Sequence, residues 1–374
     1  MLIGVPKECK DGEFRVGMTP QGIAALVQAG HKILVQRDAG TRIGYRDVDF
    51  QSAGARIVDV AREVYEAGLI VKVKELQPQE FSLLQPGQII FAYLHIAPDP
   101  VLAKAILAAN VIGIAYETVR DDQGNLPLLA PMSMIAGRLS ISVGAWGLQL
   151  NNGGKGTLLS GGPGVPPGRV LVLGAGNAGS HATDIAVGLG AGVTVLDIDS
   201  ARLQALKKIH GEGIKIGAAT PGNIADALHD ADLVVGAILN PGKLAPKIIS
   251  RAMLRNMEPG SVLIDICIDQ GGLSETSRPT SHSEPFYIEE NVVHYCVGNM
   301  PSAVARSATL ALSYATLPYV RQIADHGLKQ ACAADPGLAA GVQIYRGQLS
   351  HPDIARDLHL PHTPIDSLLG HSIP

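Results

Sequence analysis

The chain has 374 residues, 46% of them hydrophobic, enough for two domains of ordinary size, each around its own core. A formal charge of −4 and a pI near 6.3 leave no basic surface bias, so nucleic acid and anionic membrane are excluded as expected partners and small molecules remain.

From residue 1 to about 128, short apolar runs alternate with helix-like segments. Leu2 to Val5, Ile33 to Val35, Leu69 to Val73, Ile89 to Leu94 and Val111 to Ala115 read as strands buried on both faces. Pro20 to Ala29, Asp59 to Ala67 and Pro100 to Ala109 read as helices between them. Thr19 and Asp99 stand as N-caps, each followed by proline at the first helical position. The alternation predicts a parallel sheet wrapped by helices, and the absence of a glycine fingerprint here predicts a ligand other than the nucleotide. Pro131 to Leu150 reads as a long helix, and the glycine- and proline-rich run Asn151 to Gly168 as a loop in the boundary region.

The stretch Arg169 to Asp199, RVLVLGAGNAGSHATDIAVGLGAGVTVLDID, organises the second half of the chain. It reads as strand, glycine turn, helix, strand and acid. Gly174 permits the tight turn, Gly176 lets backbone approach a pyrophosphate, and Gly179 lets helix pack close to strand. The amides at the helix start then meet the phosphate charge. Asp197, at the end of the second strand, can accept from both ribose hydroxyls of NAD and repels a 2′-phosphate, so NAD is expected rather than NADP. Leu233 to Leu239, Val262 to Asp269 and Val292 to Val297 continue as strands, with Pro246 to Asn256 as a crossover helix. Arg306 to His326 reads as one long helix, and the remainder to Pro374 as helical and loop-like, packed back on the first domain.

The expected architecture is therefore α/β, with two doubly wound parallel-sheet domains and a cleft between them. Residues 1–128 with 305–374 form the substrate (catalytic) domain and residues 129–304 the Rossmann NAD-binding domain. Cys9, Cys267, Cys296 and Cys332 form no C-x-x-C pair and are too few for a disulfide framework, so they read as free thiols in a reducing compartment. The opening MLIGVPKECKDGEFR has charges where a signal peptide needs an apolar core, and no apolar stretch is long enough to span a bilayer. A soluble cytoplasmic protein is expected, and no metal is assigned.

Ligands of doubly wound sheets sit beyond the carboxyl ends of the strands. Four polar residues fall there: Arg15 in the loop after the first strand, Lys74 after Leu69 to Val73, His95 after Ile89 to Leu94, and Asp269 after Val262 to Ile268. Arg15 offers a planar fork for a carboxylate, and Lys74 a point charge to polarise a carbonyl oxygen. His95, with an ordinary pKa of about 6.5, can exchange a proton with a reacting oxygen or nitrogen. Asp269 can hold an ammonium, orient water or shuttle protons. A small 2-oxo acid meeting ammonia would use all four. Each has a duller reading: Arg15 as a surface cation, one of Lys72 and Lys74 pointing to solvent, His95 as a capping group, and Asp265 competing with Asp269 from deeper on the same strand face.

The motifs IGVPKE, RVGMTP, VKVKE, YLH, APMSMIAGR, GAGNAG, LDID, DIDQGG, SRPT and GNMP, in this order and at these separations, closely resemble the bacterial alanine dehydrogenase family over essentially the whole chain. That family is also similar to the nucleotide-binding subunit of proton-translocating transhydrogenase. The resemblance implies that Arg15 and Lys74 contact the substrate carboxylate and carbonyl, and that His95 and Asp269 are the acid/base pair. It implies NAD contacts at Ser133, Asn177, Ala178, Asp197, Arg202, Ile238, Leu239, Ile266, Cys267, Ile268, Asp269, Arg278, Val297, Gly298, Asn299 and Met300, beside the turn Gly174, Gly176 and Gly179. It implies interconversion of L-alanine with pyruvate and ammonium, and a homohexamer. Two positions depart from the pattern: Met134 replaces the usual acid, and Ser180 a bulkier aromatic. The rival readings are a transhydrogenase-like subunit, which needs a membrane partner, and a non-catalytic NAD-binding regulator, whose cofactor binding would survive His95→Ala with no turnover to lose.

Overall fold

The computed structural model describes residues 1–238 and 244–370, and the chain divides into two compact units, Met1–Met132 with Val304–Pro374, and Ser133–Ala303. In chain order the first unit supplies β1 (Leu2–Val5), β2 (Lys32–Gln36), β3 (Arg56–Val58), β4 (Leu69–Val71), β5 (Ile89–Ala92) and β6 (Ile112–Ala115). The second supplies β7 (Arg169–Leu173), β8 (Gly192–Asp197), β9 (Ile214–Ala218), β10 (Leu233–Gly236), β11 (Val262–Asp265), β12 (Phe286–Glu289) and β13 (Val292–Tyr295). The chain then returns to the first unit with β14 (Val342–Tyr345) and β15 (Gln348–Leu349).

Among the described residues the first sheet runs β15-β14-β6-β5-β4-β1-β2-β3 and the second β12-β13-β11-β10-β7-β8-β9. Around the first strand of each sheet in chain order the pairing is parallel: β1 lies between β2 and β4, and β7 between β8 and β10. The winding direction reverses at those two places, which makes them the switch points where such sheets bind ligands.

Alternation along the strands explains why the apolar runs are unbroken. Val170 and Val172 pack into one core with Val193, Val195, Val235 and Ile264, while Leu171 and Leu173 pack into another with Leu196, Val234 and Leu263. A sheet covered on both faces needs apolar residues at every position. Thr19 and Asp99 cap Pro20–Gln28 and Pro100–Ala108 as expected, with proline opening each helix.

Several segments differ from the sequence reading. Neither sheet is wholly parallel: β14 pairs antiparallel with β6 and β15 with β14, and β12 pairs antiparallel with β13. The C-terminal remainder therefore contributes strands, not only helices and loops. Strands β3 and β9 also form in short runs that carry no distinctive pattern. Asp59 to Ala67 is helical only over Ala61–Val64, and its start is set by the Glu63 carboxylate, which accepts the amides of Asp59 and Val60. Pro246 to Asn256 is helical only over Arg251–Arg255, because the amides of Ile248 and Ile249 donate to the Leu273 carbonyl instead of to a helical ladder.

Candidate active site

In the first unit, β1, β4, β5 and β6 are consecutive neighbours with parallel direction, so the loops that leave them emerge at one end of the sheet. Arg15 lies in the loop after β1. Its side chain is 1% exposed, which excludes the surface-cation reading. Glu13 grips it: Nε donates to Oε1 at 2.7 Å and Nη2 to Oε2, while Nη1 is turned to Met132 Sδ at 3.1 Å. Burial alone would lower the guanidinium pKa, but the hydrogen bonds and charge of Glu13 outweigh it and hold it above the ordinary value. Arg15 is thus a fixed cation whose Nε edge is already taken.

Lys74 and Lys72 are both buried, so neither points to solvent. β4 ends at Val71, and both lysines lie on the loop that leaves it. Lys72 Nζ sits 2.6 Å from Glu80 Oε1 and 3.4 Å from Glu8 Oε2, a structural pairing. Glu8 Oε1 also accepts from the Val73 amide at 2.7 Å, which ties down the backbone between the lysines.

His95 follows β5 and has a left-handed backbone, φ 45°. Glu117, which follows β6, holds it there: its carboxylate accepts the amides of Leu94 and His95, the latter at 2.8 Å, and lies 4.0 Å from the ring Nδ1. The imidazole is 45% exposed and parallel to the Tyr93 ring, so it can meet a ligand while a carboxylate stands behind it. Sequence reasoning missed Glu13 and Glu117. The strand-end rule that selected Lys74 and His95 would have found Glu117, two residues beyond the run Val111 to Ala115.

In the second unit the same rule places the glycine turn, Asp197, Ile238, Asp269 and residues 297–300 after the carboxyl ends of the neighbouring strands β13, β11, β10, β7 and β8. Gly174 has φ 104°, and a Cβ there would meet the Ala237 carbonyl oxygen at 2.6 Å. A Cβ at Gly179 would come within 1.7 Å of the Gly174 carbonyl oxygen, so helix Asn177–Leu189 can lie against β7 only with glycine there. At Gly176 the nearest atom to such a Cβ is Arg202 Nη1, at 3.6 Å, and among the described residues no side chain caps the helix start. An open backbone and an uncapped helix N-terminus, with a guanidinium beside them, suit a pyrophosphate.

Asp197 accepts the amides of Ala175 and Asp199, and so ties the end of β8 to the glycine turn. Arg202 pairs with Asp199 at 3.4 Å. The Ala178 carbonyl lies directly against Gly137 of helix Ala130–Gly147, and Ser133 shares that helix face one turn earlier. Met134 is half-buried on the same helix, and at the other departure Ser180 Oγ donates to the Asn177 carbonyl at 3.0 Å. The Ile238 amide donates to Cys267 Sγ at 3.1 Å; Leu239 lies outside the described residues.

The expected strand Val262 to Ile268 stops at Asp265, and Asp269 sits on the 3₁₀ turn Ile266–Gln270, so the two acids do not share a strand face. Asp265 causes the turn: fully buried, it accepts the Cys267 and Leu273 amides, each at 2.9 Å, and the Ser277 hydroxyl. Burial pushes its carboxyl above the ordinary range against those three donors, which marks it as a structural acid. Asp269 is exposed, and its Oδ2 accepts the Asn299 amide at 3.1 Å. Gly298 packs against the same carboxylate, and Val297 and Met300 are buried on either side. The Arg278 guanidinium lies 4.0 Å over the Tyr287 ring.

Residues 4–136 match the family description "Alanine dehydrogenase/PNT, N-terminal domain", and residues 140–352 match "Alanine dehydrogenase/PNT, C-terminal domain". The chain belongs to the alanine dehydrogenase/PNT family. It is 48% identical over 99% of its length to the whole of the alanine dehydrogenase of Methanococcus maripaludis, and 46% identical over 99% to that of Mycolicibacterium smegmatis. A solved L-alanine dehydrogenase superposes with a TM-score of 0.93 at 44% identity, covering 96% of this chain and 99% of that one. The transhydrogenase of Sinorhizobium meliloti, at 23% identity and a TM-score of 0.81 over 94% of this chain and 99% of that one, shares the fold. Among the described residues no helix is long and apolar enough to cross a membrane, and no group of three or more His, Cys, Asp or Glu side chains could hold a metal ion.

Proposed function

We infer that this chain is an NAD-dependent alanine dehydrogenase: it deaminates L-alanine oxidatively to pyruvate and ammonium, and catalyses the reverse reductive amination. The observation that carries this reading is its full-length relation to alanine dehydrogenases, at up to 48% identity. The open, uncapped glycine turn beside Asp197 and Arg202 supports NAD as the dinucleotide.

In this reading the residues divide the work. Arg15, steadied by Glu13 along its Nε edge, takes the substrate carboxylate with its Nη groups. Lys74 polarises the substrate carbonyl oxygen. His95, with Glu117 behind it, moves the proton to and from the reacting oxygen or nitrogen. Asp269 orients the water that attacks the imine carbon, and the carbinolamine then collapses to pyruvate and ammonia. Ser133, the glycine turn from Gly174 to Gly179, Asp197, Arg202, Ile238, residues 266–269, Arg278 and residues 297–300 would hold the cofactor. Bound NAD supplies the hydride acceptor for the substrate Cα. The protein works in the cytoplasm as a homohexamer in this reading; four free cysteines suit a reducing compartment, and the hexamer follows from the family resemblance.

The test is direct. Purified protein given NAD and L-alanine at alkaline pH produces NADH, NADP serves poorly, and His95→Ala keeps NAD binding while kcat falls at least about a hundredfold. Absence of NADH with L-alanine, L-serine, glycine and larger amino acids alike overturns the assignment.

A further inference from the structure

We infer that Ser302 and His282 are positioning residues for Asp269, acting through the backbone of Asn299. The inference rests on the reading that Asp269 serves the reaction, and it names residues which that reading does not use. Asn299 is left-handed, φ 56°, a conformation that asparagine adopts more readily than most residues other than glycine. In that conformation its amide donates to Asp269 Oδ2 at 3.1 Å, and the adjoining Gly298 lies so close that a Cβ would come within 2.8 Å of Oδ1. The carboxylate therefore rests on the backbone of residues 298 and 299, and anything that fixes this backbone fixes the acid.

Ser302 fixes it. The Asn299 carbonyl accepts both the Ser302 amide and the Ser302 hydroxyl, each at 3.0 Å, and Ser302 is 6% exposed. Because that hydroxyl spends its proton on Asn299, Oγ must accept from its second partner, His282 Nε2 at 2.9 Å. Nε2 therefore carries a hydrogen, as it does both in that neutral tautomer and in the imidazolium, and the link persists whether or not the ring is protonated. His282 is itself anchored: two residues before it, the Thr280 amide donates to the Cys296 carbonyl at 2.9 Å just beyond β13. The donors run in one sense, from His282 to Ser302 to Asn299, and the Asn299 amide then donates onto Asp269. Such chains hold geometry more tightly than isolated bonds.

The experiment compares Ser302→Ala, His282→Ala, His282→Gln and Asp269→Asn in the NAD and L-alanine assay, with circular dichroism to establish folding. Ser302→Ala and His282→Ala are expected to lower kcat about three- to thirtyfold, short of the roughly hundredfold that a 1 Å misplacement can cost. KM for L-alanine stays within about twofold, because Arg15 and Lys74 are untouched. His282→Gln, which keeps a side-chain N–H donor, restores most of kcat, whereas a merely structural defect would not discriminate between Gln and Ala. Wild-type kcat in both alanine variants, with activity lost in Asp269→Asn, overturns the positioning role. Full activity in Asp269→Asn overturns the underlying reading instead.

Discussion

Lys72 and Lys74 stand two residues apart, yet Lys72 ends between two buried carboxylates that sequence reasoning did not connect to it. Glu8 and Glu80 come from the loop after β1 and the segment before β5, and only the strand order makes them neighbours of β4. One lysine facing two acids leaves an excess of negative charge in a buried place, and burial pushes the Glu8 carboxyl above its ordinary value against the pull of Lys72. A carboxyl whose folded pKa is raised stabilises the fold below its ordinary value of 4.5 and loses that contribution as pH rises through the folded value. Glu8→Gln keeps an acceptor for the Val73 amide and removes the titration. Its unfolding free energy, relative to the native chain, is expected to rise as pH rises above the ordinary value of 4.5 in urea titrations; a pH-independent difference counts against it. Glu117 stands after a strand, where the residues mark a candidate, but its hold on the His95 backbone depended on β5 and β6 being neighbours.

At the scale of elements, the apolar strand cores, the proline-opened helices Pro20–Gln28 and Pro100–Ala108 and the glycine fingerprint emerged where the residues indicated, while β4, β5 and β11 stop short of the expected runs and Pro246 opens no helix. These signals are local: a buried parallel strand needs apolar residues on both faces, and a cap needs its acceptor within three residues. Edge strands were less legible. β14 and β15 lie in a segment that reads as helix and loop, and they are strands because β6 offers an open edge to pair with. Ending the chain at residue 341 would expose that edge, with Ile112 and Ile114, to other molecules. The truncated protein is expected to scatter light at concentrations where the native chain is clear, and to melt at least about 5 °C lower. Unchanged melting without aggregation would mean that the hairpin only decorates the sheet.

For the whole molecule, the discontinuous first unit and the continuous second unit each carry one switch point with one set of candidate residues. The homohexamer proposed above predicts a particle of six 39.1 kDa subunits in light scattering at micromolar concentration. A monomer there would refute the hexamer. The amino-acid sequence by itself determined the α/β class, the dinucleotide turn and the strand ends where chemistry is to be sought, because periodicity, capping and glycine spacing act over a few residues. Tertiary structure alone decided which charges pair, where β11 stops and which edges are covered. Those outcomes depend on strand order, which brings together groups far apart in the chain, such as His95 with Glu117, Lys72 with Glu8, and Asp269 with Asn299.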